Sequence, residues 1–172
     1  MKIGLIDVDN FKKKTIAFPN MPLMKISAYH KALGDSVVPW MACEKYDIVY
    51  KSKIFPNSPE IEYTIYADVV IAGGTGYAVI QDIDGYVFAT DYASDKLPPE
   101  VESVMPDYSL YPQFNEAYGF LTRGCPRSCP FCIVSKKEGF ISVKVADLDE
   151  FWSGQNMTMP MDKRFTLITL GL

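Results

Sequence analysis

Three of the four cysteines of this 172-residue chain, Cys125, Cys129 and Cys132, stand close together in the stretch TRGCPRSCPFCIVSKKEG from Thr122 to Gly139. Their spacing is C-x3-C-x2-C. Gaps of three and two residues let one tight loop turn all three sulfurs toward a common centre, as a compact metal site requires. Structural zinc takes four ligands, and the neighbouring sequence offers no fourth. Cys43 and His30 lie far upstream and join only if the fold brings them there. A four-iron cubane, by contrast, can be held by three cysteines, with its fourth iron left to an exogenous ligand. Arg123, Arg127, Lys136 and Lys137 flank the thiols, where cations lower thiolate pKa values and offset negative charge on such a centre. The same four residues also read as an ordinary solvated loop. A disulfide is the remaining use of clustered cysteines.

The stretch RGCPRSCPFC resembles the cluster loop of the radical S-adenosylmethionine (SAM) superfamily. It has the cysteine spacing, an aromatic just before the last cysteine (Phe131), and a preceding strand in AYGFLT. The segment from about Val101 through Trp152, with PDYSLYP, resembles members of that superfamily that carry a Rossmann-like, cobalamin-binding-type domain in front. The resemblance thus spans residues 1 to about 155. It implies that Cys125, Cys129 and Cys132 ligate a [4Fe-4S] cluster and that S-adenosyl-L-methionine binds the unique iron with Phe131 near its adenine. An electron donor would then drive reductive SAM cleavage on an unknown substrate. It also implies a barrel of successive βα units. The chain supplies the first strand, the cysteine loop and the start of a second unit before Leu172, and nothing matches the glycine-rich segment that holds the SAM amino group. The expectation is an iron–sulfur protein truncated early in its barrel and inactive as an enzyme in this form. The alternative is a non-catalytic zinc-binding or interaction module.

The balance of 17 Lys and Arg against 21 Asp and Glu gives a net charge of −4, which argues against a nucleic-acid partner, since phosphate binding needs a basic surface. The charge is unevenly spread: nine basic against six acidic residues over 1–60, one against ten over 61–122, and seven against five over 123–172. The opening MKIGLIDVDN lacks the long apolar region of a secretion signal. No window approaches the ~20 apolar residues of a membrane span. A cytoplasmic location with reduced thiols follows. Nothing in the sequence fixes an oligomeric state.

The elements that must position the cysteines read as α/β: a Rossmann-like three-layer parallel sheet over 1–112, including an acidic connecting segment, then over 113–172 the first strands of an incomplete radical SAM barrel. Ile3 to Val8 predict a buried strand, and Pro22 opens a helix with Leu23, Ile26, His30 and Leu33 on one face and Gly34 as its stop. Further strands are expected at Val37–Trp40, Ile48–Tyr50 and Asp68–Ala72, the last as the clearest buried strand, with a short helix over Glu60–Ala67. Apolar runs alternating with helical stretches favour a parallel sheet. From Tyr77 to Pro112 the periodicity is poor and predicts a surface connection, with an extra strand at Gly85–Thr90. AYGFLT and FISVKV read as strands, and DLDEFW as a helix start with Asp147 as N-cap and Glu150 three residues on.

Ligands of parallel sheets sit beyond the carboxyl ends of the strands, where Asp7, Asp9, Gly73, Gly74 and Gly76 are expected. GGTG could cradle a phosphate or a cofactor edge through backbone N–H groups. Without the G-x-G-x-x-G spacing it reads more readily as a tight strand-to-helix turn. It also supports a weaker third reading, a nucleotide-binding domain. Cobalamin bound base-off needs D-x-H-x-x-G, whereas His30 sits in SAYHKALG on an apolar helix face, so a packed core histidine is expected and cobalamin is unsupported. Cys43, with no neighbouring thiol, is expected to be buried and inert.

Overall fold

The computed structural model describes residues 1–11, 13, 15–16, 18–82, 85–88, 97–130, 132–152 and 154, of which 80–82 and 85–88 by backbone alone. Four strands, β1 (Lys2–Asp7), β2 (Ser36–Pro39), β3 (Lys45–Ser52) and β4 (Tyr66–Gly73), form one sheet in the order β2-β1-β3-β4. All pairings are parallel, with Ile3 opposite both Val37 and Ile48, and Ile48 opposite Val69. The chain is α/β, and β1 is the inner strand where the order reverses.

Helix α1 (Met21–Ala32) joins β1 to β2. Asn20 caps it by accepting from the Leu23 N–H at 3.3 Å, and Pro22 sits in the first turn, where no N–H is missed. Gly34 at φ 81° ends it, a left-handed conformation that glycine takes without a Cβ clash. The helix buries Leu23, Met24, Ile26, Ser27 and His30, but Leu33 is 61% exposed, because it lies past the last turn.

The two sheet faces are covered differently. One packs Ile3 and Leu5 against Leu23 and Ile26 of α1 and against Val101. The other packs Ile6, Val8, Tyr46 and Val49 with Trp40. Among the described residues no helix joins that second cluster. Its partly buried neighbours Ile61 and Ile65 come from the segment between β3 and β4, so the second layer is irregular chain. Each such side chain contributes about 1.5–3 kcal/mol on burial. Gly4 is required beneath it, since a Cβ there would meet the Tyr46 ring at 2.9 Å.

Three expectations are corrected here. Residues 60–65 form no helix; Ile61 and Ile65 instead pack, partly buried, against the second cluster from irregular chain, and β4 begins at Tyr66. β4 is not buried: among the described residues it pairs only with β3, at the sheet edge, and Val69, Val70 and Ile71 are each more than 40% exposed. Cys43 is exposed rather than buried, in the turn between β2 and β3 at φ 72°.

Beyond β4 come α2 (Thr75–Ala78) and an antiparallel hairpin of β5 (Val79–Asp82) and β6 (Gly85–Phe88), which holds the expected extra strand over its described part. α3 (Pro99–Glu102) and a 3-10 turn at Tyr108–Leu110 follow. The cysteine segment contains β7 (Thr122–Arg123), α4 (Val134–Glu138) and β8 (Val143–Lys144), with β7 and β8 antiparallel. AYGFLT is thus a strand only at its end. The ribbon is antiparallel, whereas successive βα strands run parallel. Asp147 and Glu150 form the expected capping box, on a 3-10 turn over Leu148–Glu150.

Candidate metal centre

The cysteine loop leaves β7 at Gly124, is anchored at its amino end and closes on itself in a turn at Cys132. Gly124 has φ 89°, and a Cβ on it would lie 2.1 Å from the Ile141 carbonyl oxygen, so only glycine fits. Its N–H donates to Glu138 Oε2 at 3.3 Å, and the Cys125 N–H donates to the Gly139 carbonyl at 3.1 Å. The Cys132 N–H closes a turn onto the Cys129 carbonyl at 3.0 Å. Between these anchors Ser128 adopts φ 47°, and Pro126 to Ser128 are exposed.

All three thiols are free and half-buried. In kind they suit a thiophilic metal or an iron–sulfur cluster. In place they are not drawn together: among the described residues no three His, Cys, Asp or Glu side chains gather so as to hold an ion. Neither His30 nor Cys43 is brought in as a fourth ligand. His30 is 4% exposed, with Nδ1 2.7 Å from Asp35 Oδ2 and Nε2 3.0 Å from the Tyr50 hydroxyl. It is a core histidine with both ring nitrogens engaged. Phe131 lies outside the described residues.

The flanking cations divide into two groups. Arg123 is held by Glu138 at 3.1 Å and Glu102 at 3.4 Å, with its guanidinium over the Phe120 ring. Lys137 reaches back to Thr75 Oγ1 at 2.5 Å. Arg123 thus ties the segment to α3, and Lys137 ties it to the turn after β4. Arg127 and Lys136 are exposed.

The carboxyl edge of the sheet is occupied by the chain's own groups. Asp9, 5% exposed, accepts from the N–H groups of Ile54 (2.6 Å) and Phe55 (3.1 Å) and from the Ser58 hydroxyl (2.6 Å). Asp7 Oδ2 accepts from Asn10 Nδ2 and from the Tyr111 hydroxyl, each at 2.7 Å, while its buried Oδ1 has no partner among the described residues. Tyr111 is 5% exposed, and burial, then the Asp7 charge, pushes its hydroxyl far above the ordinary tyrosine range. Asn20 is fully buried, with Oδ1 shared between the Leu23 N–H and the Ser52 hydroxyl and Nδ2 without a partner among the described residues. Both aspartates therefore lie on the expected edge and serve to close it.

No family model, no curated protein and no solved structure matches this chain. What the site can do is argued from its own geometry.

Gly73, Gly74 and Gly76 also lie on that edge, where they make a close crossing. Gly74 has φ 102°, and a Cβ there would come within 2.4 Å of the Lys53 carbonyl oxygen. The Gly76 N–H donates to that carbonyl at 2.8 Å, and the Lys53 N–H donates to the Gly73 carbonyl at 3.0 Å. The strand-to-helix turn is thus packed against the end of β3. An open cleft of about 580 Å³, lined by Cys43, Lys45, Ile65, Tyr66 and Ala67, lies at the opposite, amino end of β3 and β4.

Sequence reasoning missed the bracket that ties the cysteine segment to the sheet. It is PDYSLYP. Asp107 accepts from Ser27 and Lys31 of α1, each at 2.6 Å. Tyr108 donates to the carbonyls of Phe151 and Tyr118, and Tyr111 seals Asp7. The cue was present: three polar or aromatic residues at fixed offsets in an otherwise irregular connection. Asn20 ahead of Met21–Pro22 was an equally legible N-cap signal.

Proposed function

We propose that this chain is an iron–sulfur protein of radical SAM type, in which Cys125, Cys129 and Cys132 would hold a [4Fe-4S] cluster. The observation that supports this best is the loop itself. Three free, half-buried thiols lie on a loop anchored at Cys125 and turned at Cys132, and both bonds are backbone bonds that leave the sulfurs uncommitted. When bound, the cluster with S-adenosyl-L-methionine supplies one-electron reductive chemistry.

The chain's own residues do the positioning. Gly124 lets the backbone turn in under Ile141, and Glu138 accepts from both Gly124 and Arg123, fixing where the first thiol leaves the ribbon. The bracket of Asp107, Tyr108 and Tyr111 sets that ribbon against α1 and the sheet edge. Arg127 and Lys136 supply exposed positive charge to balance an anionic centre. Strands that would enclose SAM, orient its sulfonium and exclude water are not among the described residues.

Anaerobic reconstitution with iron and sulfide tests this. The expected result is the brown absorbance of a four-iron centre, abolished by replacing any one of Cys125, Cys129 or Cys132 with Ala and retained in Cys43→Ala. Reduced protein given SAM should yield little 5′-deoxyadenosine. A protein that takes up only zinc and refuses a cluster would establish the metal-binding module instead.

A further inference from the structure

Tyr108 and Tyr111 stand one turn apart at the 3-10 turn Tyr108–Leu110, and their hydroxyls bind different parts of the molecule. The turn is stiff. The N–H groups of Leu110, Tyr111 and Phe114 donate to the carbonyls of Asp107 (3.3 Å), Tyr108 (3.2 Å) and Tyr111 (3.1 Å). Asp107 Oδ1 accepts from the Ser109 N–H at 3.1 Å and from its hydroxyl at 2.5 Å. The two tyrosines are therefore carried by one body. Asp107 is also its pivot on α1, with Oδ2 bonded by Ser27 and Lys31 and its own N–H donating to the Met24 carbonyl at 3.0 Å.

Tyr111 reaches the end of β1, where its buried hydroxyl donates to Asp7 Oδ2 at 2.7 Å. Tyr108 reaches the cysteine segment. Its hydroxyl donates its one proton to the Phe151 carbonyl and accepts the Tyr118 N–H at 3.1 Å. One oxygen thus clasps both ends of the stretch 118–151, which carries Cys125, Cys129 and Cys132. The clasp is close-packed: a Cβ on Gly119 would meet the Phe151 ring at 2.2 Å, and Phe151 is 5% exposed. Hydrogen bonds weaken steeply as they lose alignment, so a rigid turn that shifts at Tyr111 also degrades both bonds of Tyr108.

We infer that the turn from Asp107 to Tyr111 is a latch that couples the Asp7 edge of the sheet to the closure of the cysteine segment. Freeing the Tyr111 hydroxyl from Asp7 lets the turn swing on its Asp107 pivot, loosens the clasp on Tyr118 and Phe151, and opens the stretch between them. The latch is built wholly from the chain's own contacts and stands whether or not the thiols take a metal.

Amide hydrogen exchange of the full chain, read residue by residue by NMR, tests this. Tyr111→Phe keeps the buried ring and removes only the bond to Asp7. It should speed exchange at Tyr118, Gly124 and Cys125 about tenfold, the scale of one lost bond to a charged group. Ile3 to Ile6 in β1 should change less than twofold, which also shows that the variant is folded. Tyr108→Phe releases the clasp directly and should give the same pattern. The double variant should exchange no faster at Tyr118 than Tyr108→Phe alone, because both changes open one latch. If Tyr111→Phe leaves Tyr118 within twofold of the parent, the two ends are not coupled and the proposal falls. A rise shared equally by β1, or effects that add in the double variant, would overturn it too.

Discussion

Replacing Asp9 with Ala separates a structural carboxylate from a ligand-binding one. In the folded protein this side chain is 5% exposed and accepts three hydrogen bonds, from the Ile54 and Phe55 N–H groups and the Ser58 hydroxyl. Hydrogen bonds to a charged group contribute about 1.5–3 kcal/mol each, and donors left buried and unpaired add to the loss. Water entering the vacated space recovers part of it. The expected net cost is about 3–5 kcal/mol, a large share of the roughly 5–15 kcal/mol that holds a domain folded. Urea denaturation followed by far-UV circular dichroism reads this as a lower midpoint at unchanged slope. Asp9→Asn, which keeps one acceptor, should fall between Ala and the parent chain. A carboxylate held in place only to meet a ligand would show the reverse, a stability unchanged or raised on its removal. Asp9→Ala within about 1 kcal/mol of the parent would therefore refute the assignment of Asp9 as the lock on the loop after β3.

Gly124→Ala places a Cβ 2.1 Å from the Ile141 carbonyl at a φ of 89°; it should displace the β7–β8 ribbon and lower iron uptake, with amide shifts confined to residues near 122–125 and 138–144. Burial raises the Asp107 pKa, but bonds from Lys31, Ser109 and Ser27 outweigh it and leave the group below its ordinary value. A depressed carboxylate stabilises above its unfolded pKa and loses that contribution as pH falls through the folded one. The bracket should accordingly loosen below about pH 4, read as faster amide exchange in Ser109 to Tyr111, and Asp107→Asn should flatten that dependence. Cys43, being exposed, should react rapidly with an alkylating reagent in the folded chain, and protection of Cys43 would contradict its placement.

The parallel sheet was legible because its strands are short apolar runs separated by a clear helix with a cap and a glycine stop. Strand burial was not. Val69, Val70 and Ile71 have the composition of an inner strand, and only strand order, a property of the whole sheet, puts them at its edge. The segment after Pro59 has helical spacing in Ile61 and Ile65, yet both side chains are used to cover a sheet face that no helix among the described residues reaches. Cys43 follows an apolar run, but the run turns outward at a left-handed residue. At the candidate centre the cysteines, the capping box and the core histidine could be read locally. The Asp107 and Tyr111 contacts could not, since their partners in α1 and β1 lie 76 to 104 positions away. The close crossing at Gly74 and Gly76 shows in sequence only as two glycines.

Asp7 and its seal Tyr111 are 104 residues apart, and this separation orders events at birth. A ribosome releases the amino end first, so all four strands of the sheet emerge before Tyr111 does. At about 5–20 residues per second, the stretch from Gly73 to Tyr111 takes roughly two to eight seconds to synthesise. For that interval the Asp7 carboxylate faces outward on a finished sheet edge. Any guest of that crevice has its unobstructed entry then, and a later arrival must first displace the tyrosine.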